Sequence, residues 1–465
     1  MTTTLNASQP LSSTRATDLL DQSALRDLAQ RLVDAARKAG ADAADAVAVR
    51  GMSQGVEVRD GRVEEAERSE GDDVGLRVIV GRRQAVVSTN DITGEGAAKL
   101  AERAVAMARV APDDAYVGLA DPALHAHDWP DLDMLDPAMP STADLERRAL
   151  EAEAAGLAVA GVAKSGGASA SCGIGGMVLV TSTGFHGAYL RSSQGMSMTA
   201  IAGQGTAMER DYDFTSAIHA SDLAAPQAIG RRAGERAVAR LNPRKVATCK
   251  VPVVFDPRVS NSLVGHLVGA VNGASIARKS SFLKDRMGEQ LFDSAIRIID
   301  DPLRVRGLRS QPFDAEGVAV RKLAIIDGGV LTTWLLDCAT ARELGLATTG
   351  HAHRGVSSPP SPGAYNLHME PGTLTPAELM ADIKEGFYIT DLIGSGVNGV
   401  TGDYSRGAAG FWIENGEPTY AVSEVTIAGH LLPMFKSLTP ANDLEFRYGV
   451  NAPTLRIEGL TIAGR

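Results

Sequence analysis

Glycine-centred turns set between alternating apolar runs constrain this chain most. Val56 and Val58 lead into Asp60-Gly61, and Val63 resumes beyond it. Leu76–Val80 and Ala85–Val87 flank Gly81-Arg82-Arg83. Val318–Ile326 and Val330–Leu336 flank Asp327-Gly328-Gly329, and Asn415-Gly416 divides the run FWIENGEPTYAV. Gly and Asn tolerate the positive φ that tight hairpins demand, so each turn predicts an antiparallel pair. Helical patterns interrupt the strands. Leu25, Leu28, Leu32, Val33 and Ala36 share one face of a helix over Ser23–Ala39, stopped by Gly40. Others are predicted over Glu95–Val110, from Ser141 to about Val162 with a Ser141/Asp144 capping box, and over Leu223–Leu241. Hairpins in groups, separated by helices, give an α+β class.

A chain of 465 residues is too long for one simple core. Two mixed α/β domains are expected, over 21–241 and 247–465, meeting near Asn242-Pro243-Arg244-Lys245. The second is the richer in hairpins. Residues 1–20, rich in Thr, Ser and Ala, read as a disordered leader. Residues 111–140, with five prolines and no periodicity, read as a loop over the surface. Between the helices of the first domain lie four separate strand-like runs: Ala168–Cys172, Met177–Ser182, Gly187–Arg191 and Met196–Gly203. Val63–Ser69 reads as a return strand exposed on one face. A helix capped by Thr375 is expected over Pro376–Gly386.

A net charge of −10 argues against direct nucleic-acid binding, since an acidic chain repels phosphate. Cys172, Cys249 and Cys338 are widely spaced and read as reduced thiols, not a disulfide framework. No apolar run is long enough to cross a bilayer, and the leader lacks an apolar signal core, so no membrane association and a cytoplasmic location are expected. GIGGMV (173–178) continues into a strand rather than a helix, which argues against phosphate binding. Ser395 lacks a marked His/Asp partner, and His125 and His127 beside Asp128 lack a third ligand nearby.

Two stretches remain. Asn261–Phe282 begins as an apolar helix carrying His266 and ends in Lys279-Ser280-Ser281-Phe282. GSGVNGVTGDYSRGAAGFWIENG (394–416) sets Asn398, Thr401, Asp403, Ser405 and Arg406 among glycines. Two readings of it stand: a tight sheet corner, or an inner wall where a peptide or partner strand docks through main-chain hydrogen bonds. His351, His353 and His368 lie in a Pro-rich loop over Thr348–Gly372 and could in principle join His266 in a metal set.

The strings KSSFL (279–283), GSGVNGVTGDYSRGAAGFWIENG (394–416), VTIAGHL (425–431) and PTLRIEGLTIAG (453–464), with VGLRVIVGRRQAVVST (74–89), resemble the TldD/PmbA family, also called modulator of DNA gyrase. The resemblance covers nearly all of the chain after about residue 20. It implies one of two branches. TldD-type chains carry His-Glu-x-x-x-His on a helix and are zinc peptidase subunits. PmbA-type chains, also called TldE, lack it and pair with TldD. Here Asn261 stands where the first zinc histidine would be, Ser262 replaces the glutamate, and only His266 remains. LEFRYGVNAPTL (444–455) holds no cysteine where the TldD branch has one. An amide is a poor zinc ligand and an unactivated hydroxyl a poor base. The resemblance therefore implies a PmbA/TldE-like chain with no catalytic or metal residue of its own. Asn261, Ser262 and His266 would be degenerate zinc-helix positions, and zinc would belong to a TldD-like partner.

The expected function is that of a non-catalytic subunit of a cytosolic metallopeptidase acting on unfolded peptides, as a heterodimer with a TldD-like paralogue or as a homodimer. Lys279, Ser280, Ser281, Phe282, Asn398, Thr401, Asp403, Ser405 and Arg406 are the candidate peptide or partner groove. Two rivals stand beside it: a self-sufficient metallopeptidase using His266 with loop histidines, and a non-enzymatic modulator linked to gyrase. Ligands five residues apart diverge by about 140° on a regular helix, so the spacing predicts a π-bulge or kink near Gly265.

Overall fold

The structure, a computed structural model, describes residues 21–90 and 96–464. The expected leader over 1–20 and the expected helix start at Glu95 lie outside the described residues. In the first half the elements run α1 (Ser23–Lys38), β1 (Ala43–Arg59), β2 (Arg62–Val80), β3 (Arg83–Thr89), α2 (Ala97–Val110), α3 (Thr142–Leu157), β4 (Val162–Thr181), β5 (His186–Ala202), β6 (Glu209–Ala217) and α4 (Pro226–Ala239). The six strands form one antiparallel sheet in the order β3-β2-β1-β4-β5-β6.

The turns fall where glycine allows them. Asp60 and Gly61 both have positive φ, and the carboxylate of buried Glu153 accepts both of their N–H groups, at 2.9 and 2.8 Å. The Ser141/Asp144 capping box opens α3. Two strand expectations need correction. Val63–Ser69 and Leu76–Val80 belong to a single strand, β2, and residues 62–71 are exposed on both faces rather than one. The four runs between 168 and 203 are likewise two long strands, β4 and β5, joined at the Thr183-Gly184 turn. Their Ser/Gly-rich middles lack apolar alternation, and pairing to neighbours on both sides carries them through.

One face of this sheet packs on four helices. Leu25, Leu28 and Leu32 of α1 meet Ala44, Ala46, Leu76 and Val78, with α2 beside them. Leu145 and Ala149 of α3 and Ile229 and Ala233 of α4 cover Val56, Val58, Met196 and Met198. The other face meets the C-terminal half through Val47, Leu179, Phe185, Ala126 and Phe313. Gly75 lies there so close to the C-terminal half that a Cβ on it would stand 1.8 Å from the Val356 carbonyl oxygen. Asp45 is shared at this junction by Arg77 of its own sheet and by Arg354, all three buried.

Residues 111–140 do not simply cross the surface. Ala120, His125, Ala126, Leu132 and Met134 are buried. The Ala126 N–H donates to Gly317 O (2.9 Å), and the Ser192 N–H to Met134 O (2.9 Å), so the segment is sandwiched between the two halves. Its polar main chain is satisfied by both, which permits its burial.

The second half is built on β7 (Cys249–Phe255), α5 (Pro257–Ala270), β8 (Glu385–Ile393), β9 (Asp403–Glu414), β10 (Glu417–His430) and β11 (Leu455–Ala463). These strands pair β10-β9-β8-β7-β11, and β11 pairs back onto β10 over Thr426–Ala428. The result is a small closed barrel, a ring that leaves those strands no open edge. A second sheet of short strands, including Ile298–Asp300, Leu323–Asp327 and Leu367–Met369, sits beside it. One large core, from Phe255 and Leu263 through Phe292 and Leu335 to Ile462, unites them. The helix expected over Pro376–Gly386 ends at Met380, because Glu385 already starts β8. Among the described residues no helix is long and apolar enough to cross a membrane.

Candidate functional site

Helix α5 follows directly from β7. The Asp256 carboxylate caps it by accepting the Arg258 N–H (2.9 Å), and Pro257 fills the first position, where no N–H is needed. Asp256 also accepts the Tyr388 hydroxyl (2.7 Å), and Arg258 is held by Asp211 (2.7 Å). Val259, Leu263, Val264, Leu267 and Ala270 face the core, which leaves Asn261, Ser262 and His266 half-buried. The predicted distortion near Gly265 is absent: α5 is a continuous α-helix from Pro257 to Ala270. Core packing on both sides of Gly265 is regular, and nothing crowds it within 4 Å. Asn261 and His266 therefore point about 140° apart.

Ser262 turns its hydroxyl back onto its own helix, donating to Val259 O at 2.6 Å. His266 meets Tyr404 of β9 edge to face, with ring centroids 5.9 Å apart. Its Nε2 is buried without a hydrogen-bond partner. Burial, with the Arg406 guanidinium adding to it, pushes the imidazole down to about 4, so His266 is neutral near pH 7.

Two of the predicted groove segments meet. The Phe282 N–H donates to Gly399 O (3.0 Å), which ties the end of Asn261–Phe282 to the loop before β9. Lys279 is exposed at positive φ, and Ser280 donates to Ser275 O at 3.3 Å. Ser281 is no groove residue: it is buried, donates to Ala270 O (2.6 Å) and accepts from the Leu283 N–H (3.0 Å). Asn398 and Asp403 hold the loop itself. Asn398 Oδ1 accepts the Val400 N–H (2.9 Å), and Asp403 accepts the Thr401 hydroxyl (2.6 Å). The Ser405 N–H donates to Gly396 O (2.7 Å), so close an approach that a Cβ on Gly396 would stand 1.8 Å from Ser405 O. Ser405 faces out, whereas Tyr404 and Arg406 share the opposite side of β9, toward the core.

The loop histidines lie elsewhere. His351 is fully buried, with Nδ1 2.8 Å from Thr349 O and Nε2 3.3 Å from Asp300 Oδ2. His353 lies tilted against Tyr365 with ring centroids 4.5 Å apart, and burial pushes it down to about 4. His368 lies edge-on to Phe446 at 5.0 Å. No three His, Cys, Asp or Glu among the described residues are grouped to hold a metal, so the set of His266 with His351, His353 or His368 is not assembled. The same holds for His125, His127 and Asp128. The zinc that the family implies does not fit this helix. Its donors are an amide, a back-bonded hydroxyl and one imidazole, with a guanidinium beside them. Sequence reasoning missed Tyr404 as the partner of His266. The alternation of Tyr404 with Arg406 between Gly402 and Gly407 was the available signal.

A helix-backed sheet joined to a closed barrel, with α5 packed into the barrel's core, makes a two-lobed α+β fold. Models of the PmbA/TldA metallopeptidase match three parts of the chain: domain 1 over 44–108, the central domain over 135–241 and the C-terminal domain over 248–464. The chain is 38% identical over 412 residues to Metalloprotease PmbA of Escherichia coli, covering 88% of this chain and 90% of that protein. It is 36% identical over 446 residues to the Metalloprotease PmbA homolog of Haemophilus influenzae, covering 95% and 96%. A crystal structure described as a modulator of DNA gyrase, from Bacteroides thetaiotaomicron, superposes with a TM-score of 0.87 at 28% identity, covering 95% of this chain and 99% of that one. TldE from Thermococcus kodakarensis shares the fold, at a TM-score of 0.84 and 20% identity over 94% and 100%. The chain belongs to the PmbA/TldD metallopeptidase family. The first and central family domains are built into the one six-stranded sheet.

Proposed function

We propose that this chain is the non-catalytic, PmbA/TldE-like subunit of a cytosolic metallopeptidase. In this reading a TldD-like paralogue holds the zinc, and this chain helps hold an unfolded peptide as an extended strand. The donor set of α5 carries the proposal: Asn261, a Ser262 hydroxyl bonded to Val259 O at 2.6 Å, and a lone neutral His266 offer neither a zinc site nor a base. The exposed loop 394–402 and Lys279 give the wall against which a peptide or the partner lies. Co-expression with a family member that has an intact His-Glu-x-x-x-His helix tests the pairing. The expected result is a one-to-one complex with peptidase activity that neither chain has alone. Activity of this chain by itself, or a homodimer indifferent to the paralogue, would overturn it.

A further inference from the structure

Arg406 stands out among the cations of this acidic chain. It sits on the core-facing side of β9, opposite buried Ile427 of β10. It forms no ion pair with any described residue, and its hydrogen bond to the main chain is a long one, from Nη2 to Leu392 O at 3.5 Å. Its Nε is buried and unpartnered. Two more polar atoms around it lack an acceptor. The Tyr404 hydroxyl belongs to a residue only 1% exposed; it lies beside the Arg406 guanidinium and has no acceptor for its own proton. His266 Nε2, on the ring that meets Tyr404 edge-on, has none either. Arg406 is the cation that acts on both groups.

Buried donors normally have acceptors, and leaving three without one in one place is costly. A phenol hydroxyl, a guanidinium Nε–H and a neutral imidazole Nε2–H are all able to donate, and together they carry one positive charge. The matching ligand is a small planar anion, because a carboxylate accepts several hydrogen bonds and neutralises a guanidinium. A metal cation does not match, since it would face the arginine. Arg406 and His266 are half-buried residues, and the three donor atoms themselves are covered, next to the exposed 394–402 loop.

We propose that His266, Tyr404 and Arg406 form a carboxylate-binding site at the degenerate metal helix, taking a carboxylate of an extended peptide. The source of the carboxylate rests on the peptide-handling reading above; the anion chemistry does not. Calorimetric titration of the full chain, without partner, separates them. Three probes are used: an oligo-alanine peptide with a free C-terminus, the same peptide amidated, and an amidated peptide with one central glutamate. The expected result is that the free peptide binds about tenfold or more tightly than its amide, the scale of a charge-assisted hydrogen bond. The glutamate peptide assigns the source: binding like the free peptide means a side-chain carboxylate serves, and binding like the amide means the C-terminus is required. Arg406→Gln should abolish the preference, Arg406→Lys should retain part of it, and Tyr404→Phe should weaken it. Equal binding of free and amidated peptides to the unsubstituted chain would overturn the proposal, and so would a preference that survives in a folded Arg406→Gln chain. A chain that shows the preference but ignores the zinc-bearing paralogue would leave this site standing and the subunit reading refuted.

Discussion

Two histidines of the C-terminal half, one fully buried and one half-buried, stand in different conditions. His351 has its Nδ1 at 2.8 Å from a carbonyl and its Nε2 at 3.3 Å from the Asp300 carboxylate, without a well-aligned hydrogen bond there. Asp300 also accepts the Tyr365 N–H at 2.8 Å, which fastens the loop after His353 to the short-stranded sheet. His266 has an aromatic edge on one side, an arginine nearby and no acceptor or donor for Nε2. The protein has provided for Nδ1 of the first histidine and set a carboxylate near its Nε2, while Nε2 of the second meets neither. A polar residue whose surroundings answer it is part of the core. One whose surroundings leave it unanswered, on a half-exposed helix face, is turned toward something else.

That contrast can be broken by substitution. The largest effect is expected at the answered site. Asp300→Ala removes the acceptor of the buried Tyr365 N–H and the carboxylate beside His351, and should cost roughly 3 kcal/mol in a urea unfolding curve. Gly396→Ala should come next, at about 2 kcal/mol, because its Cβ would collide with Ser405 O and lift the 394–402 loop off β9. The carboxylate preference should fall with it.

Acid should act on the unanswered histidine. His266 is held at about 4 in the folded chain, below the ordinary value of about 6.5 in the unfolded one. The unfolded chain therefore takes up the proton first as pH falls. The contribution of the neutral ring is fully present above about pH 6.5 and is lost as pH drops toward 4. His353, also near 4, acts in the same direction and the same window. His266→Phe should flatten the loss of stability between those limits, read by urea midpoints at successive pH values. At pH 7.5 the same substitution should have the smallest effect, within about 1 kcal/mol, because it removes a polar atom that already lacks a partner. A loss at pH 7.5 as large as that of Asp300→Ala would erase the distinction between the two histidines.

What the sequence made legible was local. The turns at Asp60-Gly61, Gly328-Gly329 and Asn415-Gly416, the Ser141 and Thr375 capping boxes and the apolar face of α1 all follow from chemistry within a few residues. The misreadings come from longer range. β4 runs through Gly173, Gly175 and Gly176 because β1 and β5 pair with it on both sides. Residues 111–140 are buried because two lobes close over them, and the β10–β11 pairing that closes the barrel joins distant segments. At the site, the string places Asn261, Ser262 and His266 on one helix, as the structure does, and Phe282 does meet the 394–402 loop. The expected bulge at Gly265 came from the spacing of metal ligands, and a helix without those ligands packs as an ordinary one. Tyr404 was hidden because an aromatic between glycines reads as core until the unpaired hydroxyl is seen.

Metal analysis decides whether α5 is a former metal helix in a chain that works through a partner. The chain is purified alone and with the His-Glu-x-x-x-His paralogue, and zinc and peptidase activity are measured in both. No stoichiometric zinc is expected in the chain alone, and the pair carrying His266→Ala should keep its zinc and its turnover at saturating peptide. One zinc per chain in the isolated protein, with activity lost in His266→Ala, would contradict that reading.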